Sequence, residues 1–390
     1  MKRYRCSRIA NKMIASIIVI LLFIEHFPFI STDQMLKRVQ AAGYTIERHY
    51  ITTDDGYILR LYRIPSSPKT VNNSKHNKPI LLMHGLTGSS RDYVVYPNIS
   101  PGYYFAQHGF DVWLGNARGN TFSRNHTSLD PDEGEFWQFS WHEIAMNDLP
   151  AMIDFILYRS NHNQLIYGGH SQGGTTIFAL LSERPEYNKK ISLVHAIAAA
   201  VYLKNAQSFL IPIWTKLRHF RGLAEKTQLY ELLGGRTSQY FQPLAILCTS
   251  PFSEKLCKSL VGYLYGPLAA GSYYNNLVSD YLSVDPSGSS FLQVIHFGQL
   301  FRTGRFEKFD DQQLGNPPQY NISNVQTKVH IIYGTNDYIV PTTGSHKLIR
   351  RLSKTLVAVD ETDFSHYDFF FGQQAHQLPS LMLRVINAHT

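Results

Sequence analysis

Five short runs of uninterrupted apolar sequence constrain what this chain can fold into. They are PILLMHG (79–85), FDVWLG (110–115), QLIYGGH (164–170), SLVHAIAAA (192–200) and KVHIIYG (328–334). A strand with one face in water alternates polar and apolar residues, whereas a run without alternation suits a strand covered on both faces, as in a parallel sheet. Helical patterns lie between the runs, NDLPAMIDFILYR (147–159) and GGTTIFALLSERP (173–185). Strands alternating with helices predict an α/β fold, a mostly parallel central sheet with helices on both faces.

Ahead of these runs, residues 44–64 read as a β-hairpin, with Asp54, Asp55 and Gly56 in the turn and Pro65 ending it. The rhythm breaks between 204 and 327, where the sequence turns helical, aromatic and irregular. The expected organisation is a core in two parts, 33–203 and 328–390, with 204–327 inserted as a mainly helical cap or lid. An insertion there sits over the carboxyl ends of the strands, where open α/β sheets bind ligands.

The net charge of +8 does not describe the folded surface. Lys2, Arg3, Arg5, Arg8 and Lys12 supply five of those charges, with no acid before Glu25, which leaves +3 on residues 25–390. A nucleic-acid partner is therefore not expected. The basic stretch precedes the apolar run MIASIIVILLFI (13–24), the pattern of a secretory signal peptide and short for a membrane span. We place the signal at 1–24, with cleavage loosely between 24 and 33, and expect no stable transmembrane anchor; an uncleaved signal anchor is the alternative.

Cys6 would leave with the signal, and Cys248 and Cys257 remain, either as a disulfide closing a small loop or as two buried thiols. Passage through an oxidising compartment favours the disulfide. The sequons at Asn72, Asn98, Asn125 and Asn321 would then be open to glycosylation, two or three of them occupied.

The chemistry concentrates at Gly169-His170-Ser171-Gln172-Gly173, a G-x-S-x-G between an apolar strand and a helix. A serine can stand at so tight a turn only if its neighbours two positions away lack bulky side chains. A serine hydroxyl also needs a base in hydrogen-bond reach and a carboxylate to hold that base. With the order Ser, acid, His, the acid is Asp337 in GTNDYIVP and the base His366 in DFSHYDFF. Asp360, Asp363 and Asp368 compete for the acid, and His376 and His389 for the base. Singly, an Asp in a loop is a turn former and a His a surface residue; position and order together decide here. The turn LMHGLTGSS offers the backbone N–H of Leu86 for a developing oxyanion, with His84 and Gly85 shaping the loop, and Gln172 offers a second donor.

These residues sit in long motifs. The hairpin TTDDGYILRLYRIP, the oxyanion turn, GNARGNTFSRNH (115–126) with FWQFSWHEIAMNDLPAMIDFIL after it, and GHSQGGT together resemble the acid lipases, which include gastric, lingual and lysosomal acid lipases. The resemblance spans nearly the whole chain after the signal. It implies the α/β-hydrolase fold, a cap carrying the Cys248–Cys257 disulfide, no metal or organic cofactor, and hydrolysis of triacylglycerols or cholesteryl esters through an acyl-enzyme. SLVHAIAAAVYLKN lacks a proline expected near its end, and the surroundings of Asp337 and His366 vary from the family pattern.

The expected function is thus hydrolysis of neutral lipid at a lipid–water interface by a secreted protein, or one held in a lysosome or another secretory lumen. Leu210–Trp214 (LIPIW), FQPLAIL (241–247) and LVGYLYGPLAA (260–270) are candidate lid surfaces, although each alone reads as core of the cap. A carboxylesterase of soluble esters would share every triad residue, and a non-catalytic lipid-binding protein would share the fold.

Overall fold

The computed structural model describes residues 33–65, 77–234, 248, 251–268, 282, 286–310 and 315–390. The signal segment 1–24, Asn72 and FQPLAIL lie outside the described residues.

Eight strands form one sheet. β1 (Glu47–Thr52) and β2 (Ile58–Ile64) make the hairpin, followed by β3 (Pro79–Met83), β4 (Asp111–Leu114), β5 (Leu165–His170) and β6 (Ile191–Ile197). A two-residue pair, β7 (Glu231–Leu232) with β8 (Ser289–Ser290), precedes β9 (Lys328–Gly334) and β10 (Leu356–Thr362). The order across the sheet is β1-β2-β4-β3-β5-β6-β9-β10; β1, β2 and β4 pair antiparallel and the rest parallel.

The apolar runs are continuous because alternate residues feed two different cores. Leu81 and Met83 of β3, Trp113 of β4 and Tyr167 of β5 face one; Ile80, Leu82, Val112 and Ile166 face the other. In the chain order of the main helices, α1 (Asp33–Ala41), α2 (Pro101–Gln107), α3 (Leu149–Ser160) and α4 (Gln172–Glu183) come before the insertion. Within it lie α5 (Pro251–Tyr265) and α6 (Phe291–Thr303), and α7 (Thr342–Arg351) and α8 (Gln377–His389) come after. Residues of α3 and α4 fill the first core, and residues of α1, α2 and α8 the second. The mostly parallel sheet with helices on both faces is the α/β-hydrolase arrangement.

The segment between β6 and β9 is not all peripheral. Phe297, Leu300 and Phe301 of α6 join the first core, and His296 stacks on Trp141 with ring centroids 3.8 Å apart. Cys248 and Cys257 form a disulfide with Cα atoms 5.9 Å apart. Asn98, Asn125 and Asn321 are exposed.

One buried ion cluster ties the hairpin to the helical layer. The Nε of Arg118 donates to Asp148 Oδ1 at 2.6 Å, and its backbone N–H to Asp148 Oδ2 at 2.8 Å. Its two terminal nitrogens reach Asp55 in the hairpin turn at 2.6 and 2.8 Å. The guanidinium lies 3.9 Å from the Tyr57 ring centroid. Asp148 ends a π-helical turn, Ile144–Asp148, that leads into α3.

A second buried polar chain crosses β6 and β9. His330 Nε2 lies 2.8 Å from Asp360 Oδ2, and its Nδ1 lies 2.9 Å from Nδ1 of His195. If His330 donates to Asp360 and His195 donates to His330, both rings are neutral. Burial lowers His330 to about 4, and His195 well below its ordinary value, with His330 adding to the latter.

Two outcomes follow for stability. Arg118→Met leaves two carboxylates facing each other without their cation and should cost about 3–5 kcal/mol, read as a lower urea midpoint at unchanged m-value. For His330 the folded pKa lies below the unfolded value near 6.5, so between about pH 6.5 and 4 the unfolded chain binds the extra proton and stability falls as pH falls. The slope of unfolding free energy against pH in that window should flatten in His330→Gln by up to about 1.4 kcal/mol per pH unit. Parallel slopes in the two proteins would refute a neutral buried His330.

Candidate active site

Ser171 stands between β5 and α4 at φ 51° and ψ −110°, outside the regions a serine ordinarily occupies. The turn closes because its flanking positions carry no side chain. A Cβ on Gly169 would lie 2.6 Å from the backbone of Gly173, and a Cβ on Gly173 would lie 2.4 Å from the Met83 carbonyl oxygen of β3. The Ser171 N–H donates to Ile197 O at 2.9 Å, which locks the turn to β6.

Asp337 follows β9, and His366 lies on the loop after β10. The Oδ2 of Asp337 is 2.7 Å from His366 Nδ1, and His366 Nε2 is 2.9 Å from Ser171 Oγ. The other oxygen of Asp337 accepts the backbone N–H groups of Ile339 and Val340, each at 2.8 Å. All three residues are buried. With its carboxylate on Nδ1, His366 presents Nε2 to the serine as an acceptor, so the line can carry a proton from Oγ to the ring.

The competing residues are engaged elsewhere. Asp360 bonds His330 and Arg384, Asp363 is exposed, and Asp368 accepts the Ser365 N–H at 2.7 Å in its own turn. His376 sits in the Gln373–His376 turn and His389 ends α8. His170 lies beside the triad, with its ring centroid 4.7 Å from that of His366 and its Nε2 3.1 Å from the His366 carbonyl. Burial, and then the neighbouring His366, hold it well below its ordinary pKa, so it acts as a neutral donor to that carbonyl.

The loop after β3 passes directly above the serine. A Cβ on Gly85 would be 3.2 Å from the Ser171 Cβ. His84, read from sequence only as shaping this turn, turns out to anchor it. Its Nδ1 is 2.7 Å from the Gly85 carbonyl, while its Nε2 accepts from the Ala117 N–H and faces Asn120 Nδ2, both at 3.1 Å. Acceptance at Nε2 places the ring proton on Nδ1, and burial lowers the pKa to about 4. The Gly85 carbonyl and the Leu86 N–H share one trans peptide and point in opposite directions. Holding the carbonyl toward His84 therefore aims the Leu86 N–H away from it. Gln172 opens α4, so its N–H has no intrahelical acceptor. Among the described residues, neither N–H has a backbone partner. The His84 partners Ala117 and Asn120 come from GNARGN, a motif that by itself gave no pointer to His84.

Ser171 and His366 open into a cavity of about 350 Å³ whose wall is mostly apolar, with Leu210, Ile213 and Trp214 from the LIPIW stretch and Phe297 and Phe301 from α6. Ile213 is also half exposed to solvent, so Leu210–Trp214 borders both cavity and surface. Tyr265, at the end of α5, lines the same space and accepts the His366 N–H through its carbonyl at 3.2 Å. Among the described residues, no three His, Cys, Asp or Glu side chains are grouped to hold a metal ion, and no helix is long and apolar enough to cross a membrane.

The chain matches a partial alpha/beta-hydrolase lipase region over residues 36–96 and the alpha/beta hydrolase fold over 78–226. It is 36% identical over 354 residues to Lipase 1 of Drosophila melanogaster, covering 88% of this chain and 76% of that protein. Identity to gastric triacylglycerol lipase of Bos taurus is 31% over 353 residues, 86% of each chain. The chain belongs to the acid lipase family of α/β hydrolases. This lipase is accordingly a carboxylic ester hydrolase. Its fold also matches a crystal structure of a soluble variant of monoglyceride lipase from Saccharomyces cerevisiae, with a TM-score of 0.56 at 16% identity, covering 93% of this chain and 99% of that one.

If His84 sets the direction of the Leu86 N–H, His84→Ala should lower kcat on a soluble ester about 10–100-fold with little change in KM. An unchanged kcat in the folded variant would remove His84 from the positioning role.

Proposed function

We propose that Ser171, His366 and Asp337 form the catalytic triad of this lipase and that it hydrolyses neutral lipid esters, triacylglycerols foremost and cholesteryl esters as a further class. The observation that carries this reading is the hydrogen-bonded line from Asp337 through His366 to Ser171 Oγ, opening into an apolar cavity. Long-chain ester needs such a wall; a small soluble ester does not.

In the first half-reaction, Ser171 Oγ attacks the ester carbonyl carbon as His366 Nε2 takes its proton. The Leu86 and Gln172 N–H groups stabilise the oxyanion. The protonated ring then gives its proton to the departing alkoxide, which leaves as alcohol, and Ser171 holds the acyl group. Water repeats the attack, with His366 again as base, and releases fatty acid. Asp337 stabilises the imidazolium in each half.

We assign 204–327 to a cap over this cavity, between core segments 33–203 and 328–390. Support comes from Ile213 and Trp214 in the cavity wall and from exposed Phe220, Leu223 and Leu256 on the same segment, a surface suited to a lipid aggregate. The basic and apolar 1–24 stretch, three exposed sequons and the Cys248–Cys257 bond favour a secreted or lysosomal protein.

The deciding experiment is fatty-acid release by the purified protein from emulsified long-chain triacylglycerol and from a soluble short-chain ester. Release from the emulsion should exceed that from the soluble ester and fall about 10⁴–10⁶-fold in Ser171→Ala, with Asp337→Asn losing about 10⁴-fold. Serine-dependent activity on the soluble ester alone would make the protein a carboxylesterase. Silence on both from folded protein would leave a lipid-binding role.

A further inference from the structure

Away from the triad, a separate cavity of about 240 Å³ lies between the segment 319–323 and α7. Tyr202, Tyr320 and Asn321 line one part of it, and Lys347, Arg350 and Arg351 of α7 line another. Lys347 is half-buried, with Nζ 4.1 Å from the Tyr202 ring centroid and donating to the Gly304 carbonyl at 3.1 Å. Its pKa is lowered by burial first and then by Arg351, Lys204 and Arg350. Three cations thus line one concavity.

Several cations elsewhere in the chain are neutralised. Arg63, Arg118, Arg124, Lys190 and Arg384 each meet a carboxylate at 2.5–2.9 Å. Among the described residues, no carboxylate pairs with Lys347, Arg350 or Arg351, and no acid lines the cavity. A concave, one-sign cluster concentrates a positive potential that a bound anion relieves. The cavity is below the roughly 300–1,000 Å³ of drug-sized ligand pockets, so it suits a small anionic group rather than an acyl chain. Guanidinium pairs match tetrahedral oxyanions through bidentate hydrogen bonds, and a phosphate monoester carries about −1.5 to −2 at neutral pH, enough to answer several cations at once.

We propose that this cavity is a phosphate-binding site formed by Lys347, Arg350 and Arg351 with Tyr202, taking the phosphate either as the free ion or as a lipid headgroup. The site is independent of the catalytic assignment, yet it adjoins the reaction cavity through one loop. Ala200 and Leu203 line the triad cavity, while Tyr202 between them lines this one.

The test uses the purified full chain and its Arg350→Gln/Arg351→Gln variant, both checked for unaltered turnover of a soluble ester. Inorganic phosphate, titrated against chloride at fixed ionic strength, should raise Tm by about 2–4 °C with saturation in the wild type, and the variant should show no saturating part. The variant separates binding from the general stabilisation that phosphate gives any folded protein. In a second arm, phosphatidylcholine vesicles with and without phosphatidic acid are floated with each protein. Saturating stabilisation by the free ion identifies a small-anion site, and phosphatidic-acid-dependent flotation lost in the variant identifies a headgroup site; either supports the proposal. It is overturned if neither effect occurs or if the variant keeps them. It is also overturned if binding emerges only in Asn321→Gln, since a glycan would then own the cavity.

Discussion

A methyl group on Gly173 would lie 2.4 Å from the carbonyl oxygen of Met83, and one on Gly169 would strike Gly173 itself. This close approach of α4 to β3 and β5 is the constraint on which the site is built. It lets the chain turn from strand to helix within one residue, and that residue, Ser171, takes up the strain with a positive φ. A backbone of this kind costs about 1–3 kcal/mol and persists only where the surroundings over-determine it. Here they do so through β5 pairing with β3 and β6 on its two sides and through the Ser171 N–H held by Ile197. The same approach brings the loop carrying Gly85 and Leu86 over the hydroxyl.

Around that turn two buried histidines flank His366. His84 and His170 are buried and held below their ordinary pKa, each donating a ring proton to a backbone carbonyl of the site, Gly85 and His366 respectively. Neutral rings can fix the geometry without placing a competing cation beside His366. The carboxylate is reserved for His366, where Asp337 also accepts two backbone N–H groups and so cannot swing away.

Much of this was legible in the sequence. Uninterrupted apolar runs gave away the sheet because both of its faces are packed, and the G-x-S-x-G turn is readable because steric exclusion leaves few residue choices. Asp337 and His366 were legible through order and position, and the structure brings both to Ser171. The anchoring of the Gly85–Leu86 loop by His84 was not, because its partners Ala117 and Asn120 come from another loop and a lone histidine beside a glycine carries no periodic signal. Nor was the Arg118 cluster, whose partners Asp55 and Asp148 come from turns 63 and 30 residues away in the chain. The burial of α6 in the main core was also hidden, since apolar residues in an insertion read equally as cap interior.

Toward one edge the sheet is joined by neighbours far apart in sequence. β6 pairs with β9 although 130 residues separate the two strands, so that His195 and His330, 135 residues apart, meet side by side. Closing so long a loop must be paid in chain entropy before any contact across it forms. The strands from β1 to β6 can assemble from more local pairings, whereas β9 and β10, which carry Asp337 and His366 on their following loops, can dock only afterwards. During refolding the serine turn would therefore take shape well before Asp337 and His366 reach it, and recovery of secondary structure would run ahead of recovery of turnover.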